Sequence, residues 1–146
     1  MTHSDAAVAS FKQGFACSQA VLSAYAEEFN LHRDKALKVA AGLGGGMGRM
    51  GLTCGAVTGA YMVIGLKYGG IEGSDQQAKQ KTYQVVREFT ARFNARHDTT
   101  VCKDLLGIDI STAEGFEKAK QQGLLQTRCP LFVADAAEIL DDLLKA

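Results

Sequence analysis

Apolar side chains recur at three- and four-residue steps along almost the whole chain, and this helical period is the strongest constraint on the fold. In one segment Val21, Leu22, Tyr25 and Phe29 fall on a single helical face. No stretch alternates between apolar and polar residues for long enough to indicate a strand. The sequence therefore predicts an all-α protein.

Capping and stop signals divide the pattern into about seven or eight helices. Ser4 is placed to cap the first helix and Pro130 to begin the last. A chain of 146 residues has the size of one domain, and it contains no internal repeat. We therefore expect a single-domain helical bundle over residues 1–146, with helices near 4–14, 18–29, 34–43, 53–68, 74–94, 100–106, 111–122 and 130–144.

The predicted helix 53–68 is apolar and rich in glycine on nearly every side, which only a buried helix tolerates. Its apolar run is shorter than the ~20 residues of a membrane span. Gly55 and Gly59 lie four residues apart, as do Ala56 and Ala60, so another backbone or a ligand can approach two bare strips of this helix. We expect it at the centre of the bundle.

Charge and composition restrict the partners. Sixteen basic and sixteen acidic side chains give no net charge, which argues against nucleic acid as the main partner. The amino end shows no basic segment followed by an apolar one, so no secretory signal is predicted. We expect a cytoplasmic protein without a membrane span; the oligomeric state, a homo-oligomer included, is left open.

A segment with six glycines, residues 42–51, is predicted to be a loop. It follows a helix rather than a strand and lacks the GxxxxGK[ST] order, so a nucleotide site is disfavoured. A flexible loop that covers the start of the next helix is the simpler interpretation. The glycines that could allow close approach of a cofactor are Gly44, Gly45, Gly46, Gly55 and Gly59.

The four cysteines are Cys17, Cys54, Cys102 and Cys129, and no two are closer than 27 residues, so a CxxC motif is absent. Three of them, all but Cys102, fall at predicted helix amino ends, where free N–H groups favour a thiolate. The nearby cations Arg49, Lys103 and Arg128 could add to that effect. The competing interpretation is four small buried hydrophobic residues without chemistry.

The three histidines carry a weaker signal. His3 lies near the amino end and His32 in a polar turn, so we expect both on the solvated surface. His97 precedes Cys102 by five residues, and a surface position at a helix end is favoured over a role as a ligand.

The order of cysteines and glycine blocks resembles the C_GCAxxG_C_C family of bacterial and archaeal proteins, which are described as redox-active. In one respect the chain departs from the family name, because Cys54 precedes Gly55 where the name places Gly before Cys. The resemblance covers about residues 11–140 and is carried by FACSQAVL (15–22), GGGMG (44–48), CGAVTGA (54–60), MVIGL (62–66), CKDLLG (102–107) and Cys129.

This resemblance implies redox chemistry at the four cysteines. The family is also similar to the non-haem part of split-Soret cytochromes, which implies an iron–sulfur role. The chain contains no CxxCH, so covalently attached c-type haem is not expected.

Three functions remain open at this point. In the first, the thiols cycle between dithiol and disulfide with a redox partner protein. Cys54 leads with a lowered pKa, and Cys17, Cys102 or Cys129 resolves. In the second, the four thiolates bind an iron–sulfur cluster or zinc. In the third, the protein is a non-catalytic helical interaction protein. Whether the chain is an oxidoreductase, and which donor, acceptor or cofactor it uses, is not specified by the sequence.

Overall fold

The fold, taken from a computed structural model that describes residues 1–145, is all-α as predicted. No strand occurs among these residues, and the one extended pairing is an isolated antiparallel bridge between Thr53 and Val101. Eight helices have five or more residues in the described part: α1 (His3–Lys12), α2 (Cys17–Tyr25), α3 (Arg33–Ala40), α4 (Gly55–Tyr68), α5 (Gln76–His97), α6 (Cys102–Leu106), α7 (Ala113–Gln121) and α8 (Cys129–Leu144).

Shorter segments connect these helices. Two 3₁₀ turns, Ala26–Phe29 and Ala41–Leu43, follow α2 and α3, and single turns occur at Gly44–Met47 and Leu124–Thr127. Within Gly44–Met47 the backbone is left-handed at Gly45 and Gly46, with φ of 66° and 69°. The glycine segment is therefore irregular, as expected of a loop.

Several helix starts differ from the predicted ones. Thr2, not Ser4, caps α1, and its hydroxyl accepts a hydrogen bond from the Asp5 N–H at 3.0 Å. The central helix α4 begins at Gly55, two residues after the predicted start, because Thr53 is held in the bridge to Val101. The last helix begins at Cys129, so Pro130 occupies its second position.

Helix α4 lies at the centre, and its residues from Gly55 to Ala60 are all buried. It packs against α2, α5 and α8. A Cβ at Gly59 would lie 2.9 Å from the carbonyl oxygen of Ser18 in α2, and one at Gly55 would lie 2.8 Å from the Ser18 nitrogen. The predicted glycine strip is therefore the contact that lets two helix backbones approach closely.

His3 in α1 connects that helix to α2 and α8. His3 stacks on Tyr25 with ring centroids 4.1 Å apart, and it hydrogen-bonds to Asp141 at 2.8 Å and to Glu28. His3 lies at the surface as expected, with 31% of its side chain exposed, but these contacts hold its ring in place. No helix within residues 1–145 combines the length and apolar character needed to cross a membrane.

Candidate functional site

All four cysteines lie at helix amino ends. Cys17, Cys102 and Cys129 are the first residues of α2, α6 and α8, and Cys54 is the N-cap of α4. The sequence predicted this position for three of them. The structure adds Cys102, because the short helix α6 begins at that residue. The left-handed Gly107 ends this helix.

Two backbone segments place Cys54 beside Cys102. The Cys54 N–H donates to the Thr100 carbonyl at 2.8 Å, and the Cys102 N–H donates to the Leu52 carbonyl at 2.5 Å. Gly46 packs directly against Cys102: a Cβ at Gly46 would lie 2.7 Å from the Cβ of Cys102. The glycine segment, the start of α4 and the start of α6 therefore form one tightly packed unit.

Close contact between α2 and α4 brings Cys17 near Cys54 and Cys102. A Cβ at Gly55 would lie 3.1 Å from the Cβ of Cys17, and one at Gly44 would lie 2.6 Å from the Cβ of Ala16. A side chain at either position would therefore collide with the start of α2.

One cavity of about 620 Å³ is lined by all four cysteines. Four of the five glycines predicted for cofactor approach, Gly44, Gly45, Gly46 and Gly55, also line it. Gly59 does not belong to the lining and packs against α2 instead. The remaining wall is mainly apolar and includes Phe11, Phe15, Leu105, Ile110 and Phe132.

The four thiols are free, and their protonation differs. The Cys17 thiol lies close enough to donate a hydrogen bond to the Cys129 sulfur, and this lowers the pKa of Cys129. The same hydrogen bond, together with burial, raises the pKa of Cys17 well above its ordinary value. Of these two thiols, Cys129 therefore loses its proton more readily than Cys17 does.

The remaining two thiols are held protonated. Burial raises the pKa of Cys54 to about 12, although the N–H groups of Ala56 and Val57 act in the opposite direction. Burial also raises the pKa of Cys102 to about 11. The expectation of a lowered pKa for Cys54 was therefore wrong, because the cost of burying a thiolate exceeds the stabilisation offered by the helix start.

The cations near these cysteines do not lower the pKa values of the Cys54 and Cys102 thiols. Arg128 donates to the Leu105 carbonyl at 2.8 Å, and the Arg49 guanidinium lies 3.8 Å from the centre of the Phe116 ring. Arg49 and Phe116 both line the cavity. Sequence reasoning had treated Arg49 only as a neighbour of Cys54 and did not find Phe116 or the other aromatic wall residues, since nothing local distinguishes them from core residues.

The histidines stand outside this cavity. His97 is largely buried, packs against Phe93 and Phe132, and hydrogen-bonds to Asp135 at 2.7 Å. Among residues 1–145, no group of three or more His, Cys, Asp or Glu side chains is arranged to hold a metal ion.

The structure defines an all-α protein in which four cysteines at helix starts surround one cavity. A family model described as "Putative redox-active protein (C_GCAxxG_C_C)" matches residues 15–143. The chain belongs to this C_GCAxxG_C_C family. No curated protein and no solved structure shows significant similarity to it.

Proposed function

We propose that this protein carries out thiol/disulfide redox chemistry and that Cys17 and Cys129 are its reactive pair. The observation that carries the proposal is the convergence of four free thiols on one cavity. Permanent structural disulfides would leave no such set of thiols, and inert core cysteines have no reason to share a cavity. The interaction by which Cys17 lowers the pKa of Cys129 favours this pair over the other pairings of the four cysteines.

Cys129 is the nucleophile in this scheme because the thiolate is the attacking form of cysteine. The hydrogen bond from Cys17 stabilises that thiolate. Cys54 and Cys102 stay protonated at neutral pH, with pKa values of about 12 and 11, and so do not compete with it.

The reaction consumes a disulfide substrate. The Cys129 thiolate attacks one substrate sulfur, forms a mixed disulfide and releases the first substrate thiolate. Cys17 then passes its proton to the released substrate thiolate and attacks the Cys129 sulfur, which releases the second substrate thiolate and leaves a Cys17–Cys129 disulfide. The substrate gains two electrons, and the protein is reset by a reductant that reverses these steps. A reducing compartment supplies that reductant, so we also propose a cytoplasmic location and a redox partner protein.

The proposal is tested by alkylating the reduced protein near neutral pH and following each cysteine by mass spectrometry. Cys129 should react fastest. Cys17→Ala should slow Cys129, because loss of the donor raises the pKa of the Cys129 thiol. Cys17→Ser retains an O–H donor and should restore much of the rate.

Three results would contradict this assignment. Fastest reaction at Cys54 or Cys102 would show that burial does not control reactivity here. Equal rates for Cys129 in the wild type and in Cys17→Ala would show that the two residues are not coupled. Four unreactive thiols in the folded protein would favour a non-catalytic helical interaction protein.

An iron–sulfur cluster is the second candidate, and the cavity supports it better than zinc. A single ion needs several ligands at once, and no group of the described residues provides them. A cavity of about 620 Å³ lined by four thiols offers room for a larger inorganic group, and four cysteine thiolates are its usual ligands. Cys17, Cys54, Cys102 and Cys129 would hold the cluster, which supplies one-electron transfer when bound.

Anaerobic purification separates the two candidates. Brown protein with stoichiometric iron and sulfide, in which all four thiols resist alkylation until a chelator is added, supports the cluster. Colourless protein with a reactive Cys129 supports the dithiol.

A further inference from the structure

The cavity contains one charged side chain in its wall, that of Arg49, among the described residues. Its other polar side chain, Gln19, is already engaged. The Gln19 oxygen accepts from the Ala16 N–H at 2.9 Å, and its nitrogen donates to the Leu37 carbonyl at 2.9 Å. Arg49 is therefore the side chain with capacity to bind a polar group of a ligand.

The guanidinium of Arg49 is held against an aromatic ring and not by an acid. It lies 3.8 Å from the centre of the Phe116 ring, and within residues 1–145 it forms no ion pair or side-chain hydrogen bond. A guanidinium stacked in this way keeps its edge free, and that edge matches the two oxygens of a carboxylate. Arg49 is exposed, so it stands where the cavity meets solvent.

The glycine segment fixes the arginine in this position. Arg49 itself is left-handed, with φ of 63°, and its N–H donates to the Gly44 carbonyl at 3.1 Å. A Cβ at Gly45 would lie 3.2 Å from the Cβ of Arg49. The backbone that lines the cavity therefore also sets where the cation stands.

We propose that the cavity binds a low-molecular-weight disulfide with an apolar body and a carboxylate, and that Arg49 binds the carboxylate at the rim. This inference rests on the proposed thiol/disulfide function and names its substrate class. The volume of about 620 Å³ lies within the usual range for small-molecule sites. The apolar wall accepts the body of the ligand, while Cys129 reaches the disulfide.

Two aromatic disulfides that differ in charge test the proposal, and comparing the ratio of their rates between variants removes the effect of their different size and leaving groups. Dithionitrobenzoate carries a carboxylate on each ring, whereas dithiodipyridine is neutral. The measured quantity is the ratio of the rate constants for reaction of the reduced protein with the anionic and the neutral probe, at low ionic strength. Arg49→Gln should lower this ratio roughly three- to ten-fold, and Arg49→Lys should lower it less.

Arg87→Gln is the matched control. Arg87 is exposed on α5 and does not line the cavity, so this change alters the net charge equally and should leave the ratio unchanged. Circular dichroism checks that each variant folds as the wild type does.

The failures of the two proposals are distinguishable. In one outcome, both probes react at the Cys17/Cys129 pair while Arg49→Gln keeps the wild-type ratio of rate constants. This result would contradict the proposed substrate class and leave the proposed dithiol function intact. An equal fall of the ratio in Arg87→Gln would also overturn the role of Arg49, because net charge alone would explain it. If neither probe reacts with the folded protein, the dithiol function itself fails, and the inference fails with it.

Discussion

The four cysteines share one residue type and one kind of position, yet they differ in chemistry. A helix amino end favours a thiolate, while burial disfavours it, and the second effect is the larger at Cys54 and Cys102. Cys129 has a lowered pKa because a neighbouring thiol supplies a hydrogen bond. Reactivity at this site is therefore decided by contacts between residues more than a hundred positions apart in the chain.

Gly46 is the residue on which the local arrangement of Cys102 most depends. It is left-handed, and an added Cβ would meet the Cβ of Cys102 and the Leu52 nitrogen, each at 2.7 Å. Gly46→Ala should destabilise the fold and alter the accessibility of Cys102. Gly48→Ala is the control, because Gly48 is also left-handed but has only the Gly42 oxygen nearby, at 3.9 Å.

Urea unfolding of both variants checks this prediction. The Gly46 variant should lose clearly more stability than the Gly48 variant, since both carry the same backbone strain and only the first adds a clash. Equal losses would mean that the contact with Cys102 relaxes without cost.

At the scale of helices, the pairing of α2 with α4 determines where the site forms. Cys17 and Cys54 stand at the amino ends of these two helices, and Gly55 and Gly59 set the distance between the helices. Glycine in a helix interior costs roughly 0.5–1 kcal/mol relative to alanine. The close contact with Ser18 offsets that cost.

Gly59→Leu should therefore destabilise the protein by about 1–3 kcal/mol, because the larger side chain meets the backbone of Ser18. Gly65→Ala provides a control in the same helix, since nothing lies within 4 Å of a Cβ at that position. This second change should be neutral or stabilising by up to about 1 kcal/mol. Thermal unfolding distinguishes them, and an unchanged melting temperature for Gly59→Leu would contradict the packing described here.

At the scale of the whole molecule, the contact between His3 in the first helix and Asp141 in the last makes stability depend on pH. Burial opposes protonation of His3, but hydrogen bonds and charges from Glu28 and Asp141 outweigh it and raise the pKa of His3 above 6.5. A raised pKa in the folded state means that the stabilisation is fully present below pH 6.5 and is lost as the pH rises through the folded value.

The wild type should accordingly have a higher melting temperature at slightly acidic pH than at mildly alkaline pH, and His3→Gln should reduce this difference. His32→Gln serves as the control, because the hydrogen bond of His32 within the described residues is a local one, accepted from the Asp34 N–H. A pH dependence that persists unchanged in His3→Gln would assign the effect to other groups.

Much of the architecture could be predicted from the sequence. The apolar period predicts the helices, and the glycine-rich character of residues 53–68 predicts their central member, since both signals are local. The shared cavity could not be derived in this way, because it depends on contacts such as the Cys54–Thr100 and Cys102–Leu52 hydrogen bonds. The protonation of Cys54 was predicted wrongly for the same reason: burial is a property of the assembled fold.

The central claim, that Cys17 and Cys129 form the reactive dithiol, is tested most directly by mapping the first disulfide that forms. The reduced protein is treated anaerobically with one equivalent of diamide, free thiols are alkylated, and the digest is analysed without reduction. The account predicts a Cys17–Cys129 disulfide with Cys54 and Cys102 alkylated. A first disulfide between Cys54 and Cys102, or four alkylated cysteines after the oxidant is consumed, would contradict it.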